Sequence, residues 1–191
     1  PRLFEQQLRK VGLPYVLVGG MSFFDRREVR DVLAYLKVIE HADDEVSLRR
    51  IINTPPRGIG PKAVEQLVGA AVENGQPLWQ VLCDGQLVNS AAGPKAAQAV
   101  SQFVATLAPL QKEAAALVKS KSKKSKGQLA DMAQRLIDTV DYRSEIARHY
   151  DEENERQSRW ESVEQVVNAL AQYEQQSRCP TLKGFLDEIL L

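Results

Sequence analysis

A chain of 191 residues, 43% hydrophobic and with 25 basic residues set against 25 acidic ones, has the composition of a folded globular protein rather than a disordered tail. The formal net charge of zero excludes a surface coated in positive charge, so any nucleic-acid contact has to be local. Cys83 and Cys179 make neither a disulfide framework nor a C-x-x-C pair, no apolar run reaches the roughly 20 residues of a membrane span, and the N-terminus lacks a signal-peptide core, so a cytoplasmic protein is expected.

The chain begins at Pro1 inside an amphipathic pattern (Leu3, Phe4, Leu8, Val11), which reads as a segment of something longer. Tyr15-Val16-Leu17-Val18, bounded by Pro14 and Gly19-Gly20, reads as one short strand. Everything beyond it has helical spacing. The stripe Val29, Val32, Leu33, Leu36 and Ile39 predicts a helix over about 26–41. Asp43-Asp44 is the cap region of a second, which carries Val46, Leu48, Ile51 and Ile52. After a loop at 54–60, Pro61 opens a helix to about Glu73, because its missing N–H would be unpaired at that position anyway, and Asn74-Gly75 stops it. A short helix at 78–82 leads through Gly85 to Gly93, and Pro94 opens a long alanine-rich helix to about Val118. Lys119 to Gly127 interrupts the pattern. Two further helices, 128 to about 150 and 155 to about 176, precede Pro180 and a last helix. The expected fold is mainly α, a multi-helix bundle with a helix-hairpin-helix-like glycine-rich turn and one short strand near the N-terminus.

The sequence holds no G-x-x-x-x-G-K-[ST] phosphate loop, no G-x-G-x-x-G after a strand, no H-E-x-x-H and no G-x-S-x-G. His41 and His149 are isolated, which argues against a zinc site or a Cys/His nucleophile pair. Acidic runs such as Asp151-Glu152-Glu153 and Asp187-Glu188 read as solvated helix faces and caps. No catalytic residue, metal ligand or cofactor of its own is expected for this chain.

One local pattern is chemically sharp: Pro55-Pro56-Arg57-Gly58-Ile59-Gly60-Pro61-Lys62, between two helices. Two glycines let the backbone turn tightly and approach a ligand without a Cβ in the way. The helix opening at Pro61 aims free N–H groups and its positive dipole end at the same place, a geometry suited to phosphate. Ile59 would anchor the turn in the core while Arg57 and Lys62 flank it as phosphate-neutralising charges. The competing reading is a helix–helix turn punctuated by Gly and Pro.

Leu13 to Asp31, then Leu33-Ala34-Tyr35-Leu36, Asp43-Asp44 and Arg50-Ile51-Ile52-Asn53-Thr54-Pro55-Pro56-Arg57-Gly58-Ile59-Gly60, resemble in dense and ordered fashion the UvrD/Rep/PcrA family of superfamily 1 DNA helicases. The resemblance covers roughly residues 1–75; beyond that it rests on helical content and on the position of the segment in the family. It implies the end of motor subdomain 2A over 1–42 and most of the all-helical subdomain 2B over 43–191. Full-length relatives are implied to be ATP-driven translocases that move 3′ to 5′ on single-stranded DNA. Their 2B subdomain grips duplex through the G-I-G loop, matched here by Gly58, Ile59 and Gly60. ATP and Mg²⁺ would belong to motor parts outside this segment, so by itself it should neither hydrolyse ATP nor unwind DNA.

A helicase must pass any sequence, so grip through backbone N–H groups and Lys/Arg charge suits it, with affinity that falls as salt rises. The expected duplex contacts are Arg57, Gly58, Ile59, Gly60 and Lys62, with Thr54 as a hydroxyl donor. Arg26, Arg27 and Arg30 are secondary candidates set against ordinary pairing with Asp25, Glu28 and Asp31. Lys121, Lys123 and Lys124, in the cluster from Lys119 to Lys126, are also secondary, against a mobile loop. Phe23-Phe24, Trp79, Trp160 and Met132 read as packing residues. Two function classes stand: a duplex-binding subdomain, or a protein-interaction and autoregulatory module docking on the motor or on repair and replication proteins. An apolar patch from Phe4, Leu8, Tyr15, Leu17 and Phe23 would drive self-association.

Overall fold

The computed structural model describes residues 22–120 and 127–190, together with Leu8, Val11 and Leu13. The expected strand at Tyr15–Val18 and the lysines 121, 123 and 124 lie outside the described residues. Among those described, a 3₁₀ turn at Phe23–Asp25 is followed by nine α-helices and no strand. They are α1 (Arg27–Glu40), α2 (Glu45–Ile51), α3 (Pro61–Asn74), α4 (Leu78–Cys83), α5 (Gly85–Ser120), α6 (Gln128–Thr139), α7 (Tyr142–His149), α8 (Glu153–Gln176) and α9 (Leu182–Leu190).

Helix α1 is the axis of the molecule, packing against α2, α5, α8 and α9. Its apolar residues are not confined to one stripe: Val29, Val32, Leu33, Ala34, Tyr35, Leu36, Val38 and Ile39 are all buried. A helix covered on most sides is a core helix, not a surface one. It stands on the motor side of the sequence-based division at 42/43, yet its neighbours are the helices of the other side.

Several boundaries differ from the sequence reading. The stretch from Gly85 to Gly93 is helical, and α5 breaks at Gly93, where φ is 82° and glycine alone is comfortable. The single helix expected over 128–150 is two. Between them Asp141 takes a left-handed φ of 52°, and its carboxylate accepts from the Ser144 amide, capping α7. Aspartate tolerates that conformation because its short side chain bonds back to local N–H groups. Val46, expected among the core positions of α2, is exposed. On either side of the glycine-rich turn, α2 packs mainly on α1 and also on α4, while α3 packs on α4 and α5. Asp44 does cap α2, through Ser47 N and Ser47 Oγ at 3.0 and 2.7 Å. Burial raises its carboxyl pKa, but those bonds outweigh that and hold it below the ordinary range.

Candidate nucleic-acid interface

The loop between α2 and α3 is built from the inside. Ile59 is fully buried in the core, as the pattern of one apolar residue between two glycines leads one to expect. Asn53, two residues past the end of α2, places Oδ1 where it accepts from the amides of Arg57 (2.8 Å) and Ile59 (3.2 Å). Thr54 donates its amide to Ile51 O at 3.1 Å, and the Thr54–Pro55 bond is cis. Gly58 has φ 83°, a value an L side chain rarely adopts, so the turn needs glycine there.

Arg57 does not face solvent with its charge. Its Nη1 donates to Ile51 O at 3.0 Å and to Pro55 O at 2.9 Å, and its Nη2 donates to the Tyr35 hydroxyl. The guanidinium lies 5.3 Å from the Phe103 ring centroid and 5.9 Å from that of Tyr35, within cation–π range. Tyr35 in turn donates its own hydroxyl to Thr54 O. Burial, the largest influence, pushes the Tyr35 pKa up to about 12 against the opposing Arg57 charge, so the hydroxyl keeps its proton near neutral pH.

The outward side of the loop is different. Gly60 is the N-cap of α3, Pro61 its first residue, and no acidic residue occupies the first turn. The Val64 amide closes the first helical bond, to Gly60 O at 3.1 Å. Among the described residues, the amides of Gly58, Gly60, Lys62 and Ala63 have no protein acceptor. Lys62 is exposed and has no carboxylate within ion-pair distance among the described residues. Four N–H groups without an acceptor among the described residues, the Lys62 ammonium and the positive end of a 14-residue helix thus fall within positions 58–63 and the helix they open. Chemically this arrangement can hold an oxyanion.

The secondary arginine candidates separate. Arg26 donates to Ser162 Oγ at 2.7 Å. Arg27 sits 3.3 Å from Glu145 and 3.8 Å from Asp31, and meets His149 Nδ1 at 3.1 Å. Arg30 is exposed, with no side-chain partner among the described residues. Glu28 and Asp31, expected as exposed partners of these arginines, are both 2% exposed, because α1 is covered on the face that carries them. Asp31 accepts from Arg50 Nε and from the Tyr142 hydroxyl, each at 2.6 Å, and burial beside Asp31 pushes the Tyr142 pKa upward. Among the described residues Glu28 has one ion-pair partner, Arg159 at 3.6 Å, and neither of its carboxylate oxygens is hydrogen-bonded.

Phe23, Phe24, Trp79 and Met132 are buried as expected. Trp160 is only half-buried: Arg143 lies 4.3 Å over its ring and Nε1 donates to Glu164 at 2.7 Å. The residues that sequence reasoning missed are Tyr35 and Asn53. Asn53 carries a readable signal, since an Asn just past a helix end commonly accepts from amides a few residues on. Tyr35 carries none, because nothing in its own neighbourhood announces a partner 22 positions away.

An open groove of about 560 Å³ between the end of α1 and α9 is lined by Lys37, Glu40, His41, Asp44, Lys183 and Asp187. It mixes both signs of charge. Burial is the first cause that raises the Glu40 pKa, with Lys183 opposing it. Among the described residues no group of three or more His, Cys, Asp or Glu is arranged to hold a metal ion. No helix among them is long and apolar enough to cross a membrane.

The whole chain, residues 1–191, matches the family described as UvrD-like helicase C-terminal domain, and it belongs to that family. Its relatives include the ATP-dependent DNA helicase PcrA of Bacillus subtilis (strain 168), 30% identical over 191 residues. PcrA of Staphylococcus epidermidis (strain ATCC 12228 / FDA PCI 1200) is 30% identical over 192 residues, and that of Staphylococcus aureus (strain NCTC 8325 / PS 47) 29% over 194. Each alignment takes in 100% of this chain but 24% of the relative, so the chain spans about a quarter of the length of these helicases.

Proposed function

We propose that this chain is the duplex-gripping and regulatory part of an ATP-dependent 3′-to-5′ DNA helicase, and that the loop from Thr54 to Lys62 meets the DNA backbone. The observation that carries this reading is the cluster of unclaimed amides at Gly58, Gly60, Lys62 and Ala63 beside the free Lys62 ammonium. Backbone N–H groups and one mobile cation hold phosphate without selecting bases, which is what a motor that passes every sequence requires. Thr54 adds a hydroxyl at the edge of the same loop, and Ile59 serves from within by fixing the turn. ATP and Mg²⁺ act in motor segments outside this chain, and its partners are those segments, duplex DNA, and repair or replication proteins in the bacterial cytoplasm. The motor-edge part is placed over 1–42 and the helical subdomain over 43–191, with α1, at the end of the first, packed against helices of the second.

The test is fluorescence anisotropy of labelled duplex and single-stranded DNA against the 191-residue chain at several salt concentrations. Duplex binding should weaken as salt rises, and Lys62→Ala should lower the slope of log affinity against log salt by about 0.9, one phosphate contact. Absence of duplex binding by a chain shown to be folded would overturn this reading in favour of a protein-interaction and autoregulatory module.

A further inference from the structure

We propose that Tyr35, Asn53 and Arg57 form a latch that sets the phosphate-binding shape of the loop, and that Arg57 acts as a positioning residue rather than a phosphate ligand; this rests on the duplex-gripping reading above. A guanidinium that served phosphate would leave its planar fork open. Here three of the five N–H donors go to Ile51 O, Pro55 O and the Tyr35 hydroxyl, and the Phe103 ring lies within cation–π range of the guanidinium. One planar cation thereby ties the end of α2, the loop, α1 and α5 to each other. Only arginine can do this, because a lysine ammonium offers neither the fork nor the stacking face.

Asn53 completes the latch on the backbone. It claims the amides of residues 57 and 59 and leaves those at the alternate positions, 58 and 60, unclaimed. The Tyr35 hydroxyl closes the circuit, accepting from Arg57 and donating to Thr54 O, so the turn is tied to α1 through Tyr35 and to the end of α2 through Ile51 O. The oxygens that accept from Arg57 are all neutral, and among the described residues no carboxylate lies within ion-pair distance of it. With no carboxylate paired to it, its charge adds positive potential beneath the loop without touching the ligand.

The experiment uses three substitutions that leave net charge unchanged, Tyr35→Phe, Asn53→Ala and Arg57→Lys, in the 191-residue chain, with thermal unfolding as the check that each variant folds. Tyr35→Phe is the mildest and keeps the ring packing. Duplex affinity should fall about three- to tenfold in each, the scale of one lost hydrogen bond, with the salt slope parallel to that of the unsubstituted chain. Amide hydrogen exchange at Arg57 and Ile59 should accelerate in step. The proposal is overturned if these variants bind within twofold of the unsubstituted chain, whether or not exchange changes. It is also overturned if Arg57→Lys binds normally while Arg57→Ala lowers the salt slope by about one contact, which would make Arg57 a phosphate ligand. If the unsubstituted chain binds no duplex, the duplex-gripping reading is what fails. The latch is then judged by exchange alone: it stands if Tyr35→Phe exposes the Arg57 and Ile59 amides, and it falls if their protection is unchanged.

Discussion

The two halves of α1 use arginine in opposite ways. Towards its C-terminal half, Tyr35 meets Arg57, whose hydrogen bonds all go to neutral oxygens. Towards its N-terminus, Glu28, Asp31 and, from α7, Glu145 are buried carboxylates facing Arg27, Arg50 and Arg159. In that belt, charges cancel pairwise and what remains is geometry. At the loop, the guanidinium keeps its charge while still fixing the backbone. The same side chain yields an external field only where its partners are neutral, so counting arginines in the sequence says little about where this molecule is electropositive.

Substitutions sharpen the contrast. Asp31→Ala is expected to be the most damaging, because it leaves Arg50 and the Tyr142 hydroxyl without their shared acceptor; about 3–5 kcal/mol is the usual cost of breaking a buried pair from one side. Urea unfolding measures it, and Asp31→Asn should recover part. Glu28 and Arg159 should respond in the reverse direction when both are replaced. The Glu28 oxygens are unpaired and the ions are 3.6 Å apart, so Glu28→Leu combined with Arg159→Met should raise the melting temperature, corresponding to about 1–4 kcal/mol of added stability.

At the loop, Gly58→Ala should cost about 1–2 kcal/mol from its positive φ, although the space around a Cβ is open. Gly60→Ala should stay within about 0.5 kcal/mol, since Gly60 has an ordinary extended φ of −70° and equally open space. If the backbone meets phosphate, both variants lose duplex affinity in anisotropy, and Gly60→Ala does so without a stability change. Loss of the α2 cap is also modest: Asp44→Ala should cost about 1 kcal/mol at neutral pH. Because the folded carboxyl sits below its ordinary value, this contribution is complete above the unfolded pKa of about 3.9 and disappears as pH falls through the folded one. Thermal melts of both proteins across that range should converge at low pH.

What could be read in advance follows the range of the interactions. The starts of α2 and α3 were legible because Asp44 and Pro61 act within one turn of themselves. Ile59 was legible because an apolar residue between two glycines has few other uses. The break at Asp141 was missed, although Asp141 and Ser144 stand at cap spacing, because no Gly or Pro punctuates the chain there. The buried state of Glu28 and Asp31 was not legible at all: their partners Arg159 and Tyr142 lie on helices more than a hundred positions away, and a carboxylate next to arginines in sequence looks solvated. The direction of Arg57 was hidden for the same reason, since Phe103 reaches it from another helix.

Helix α6 begins without a capping side chain of its own, yet its first amides are not bare. Glu174 of α8, 1% exposed, offers one carboxylate oxygen to Leu129 N at 2.9 Å and the other to Ala130 N at 3.2 Å. A cap supplied from 45 positions downstream makes the start of α6 independent of the chain that enters it. No side chain ahead of Gly127 is then needed to satisfy those two amides, so the start of α6 depends on the docking of α8 rather than on the sequence that precedes it.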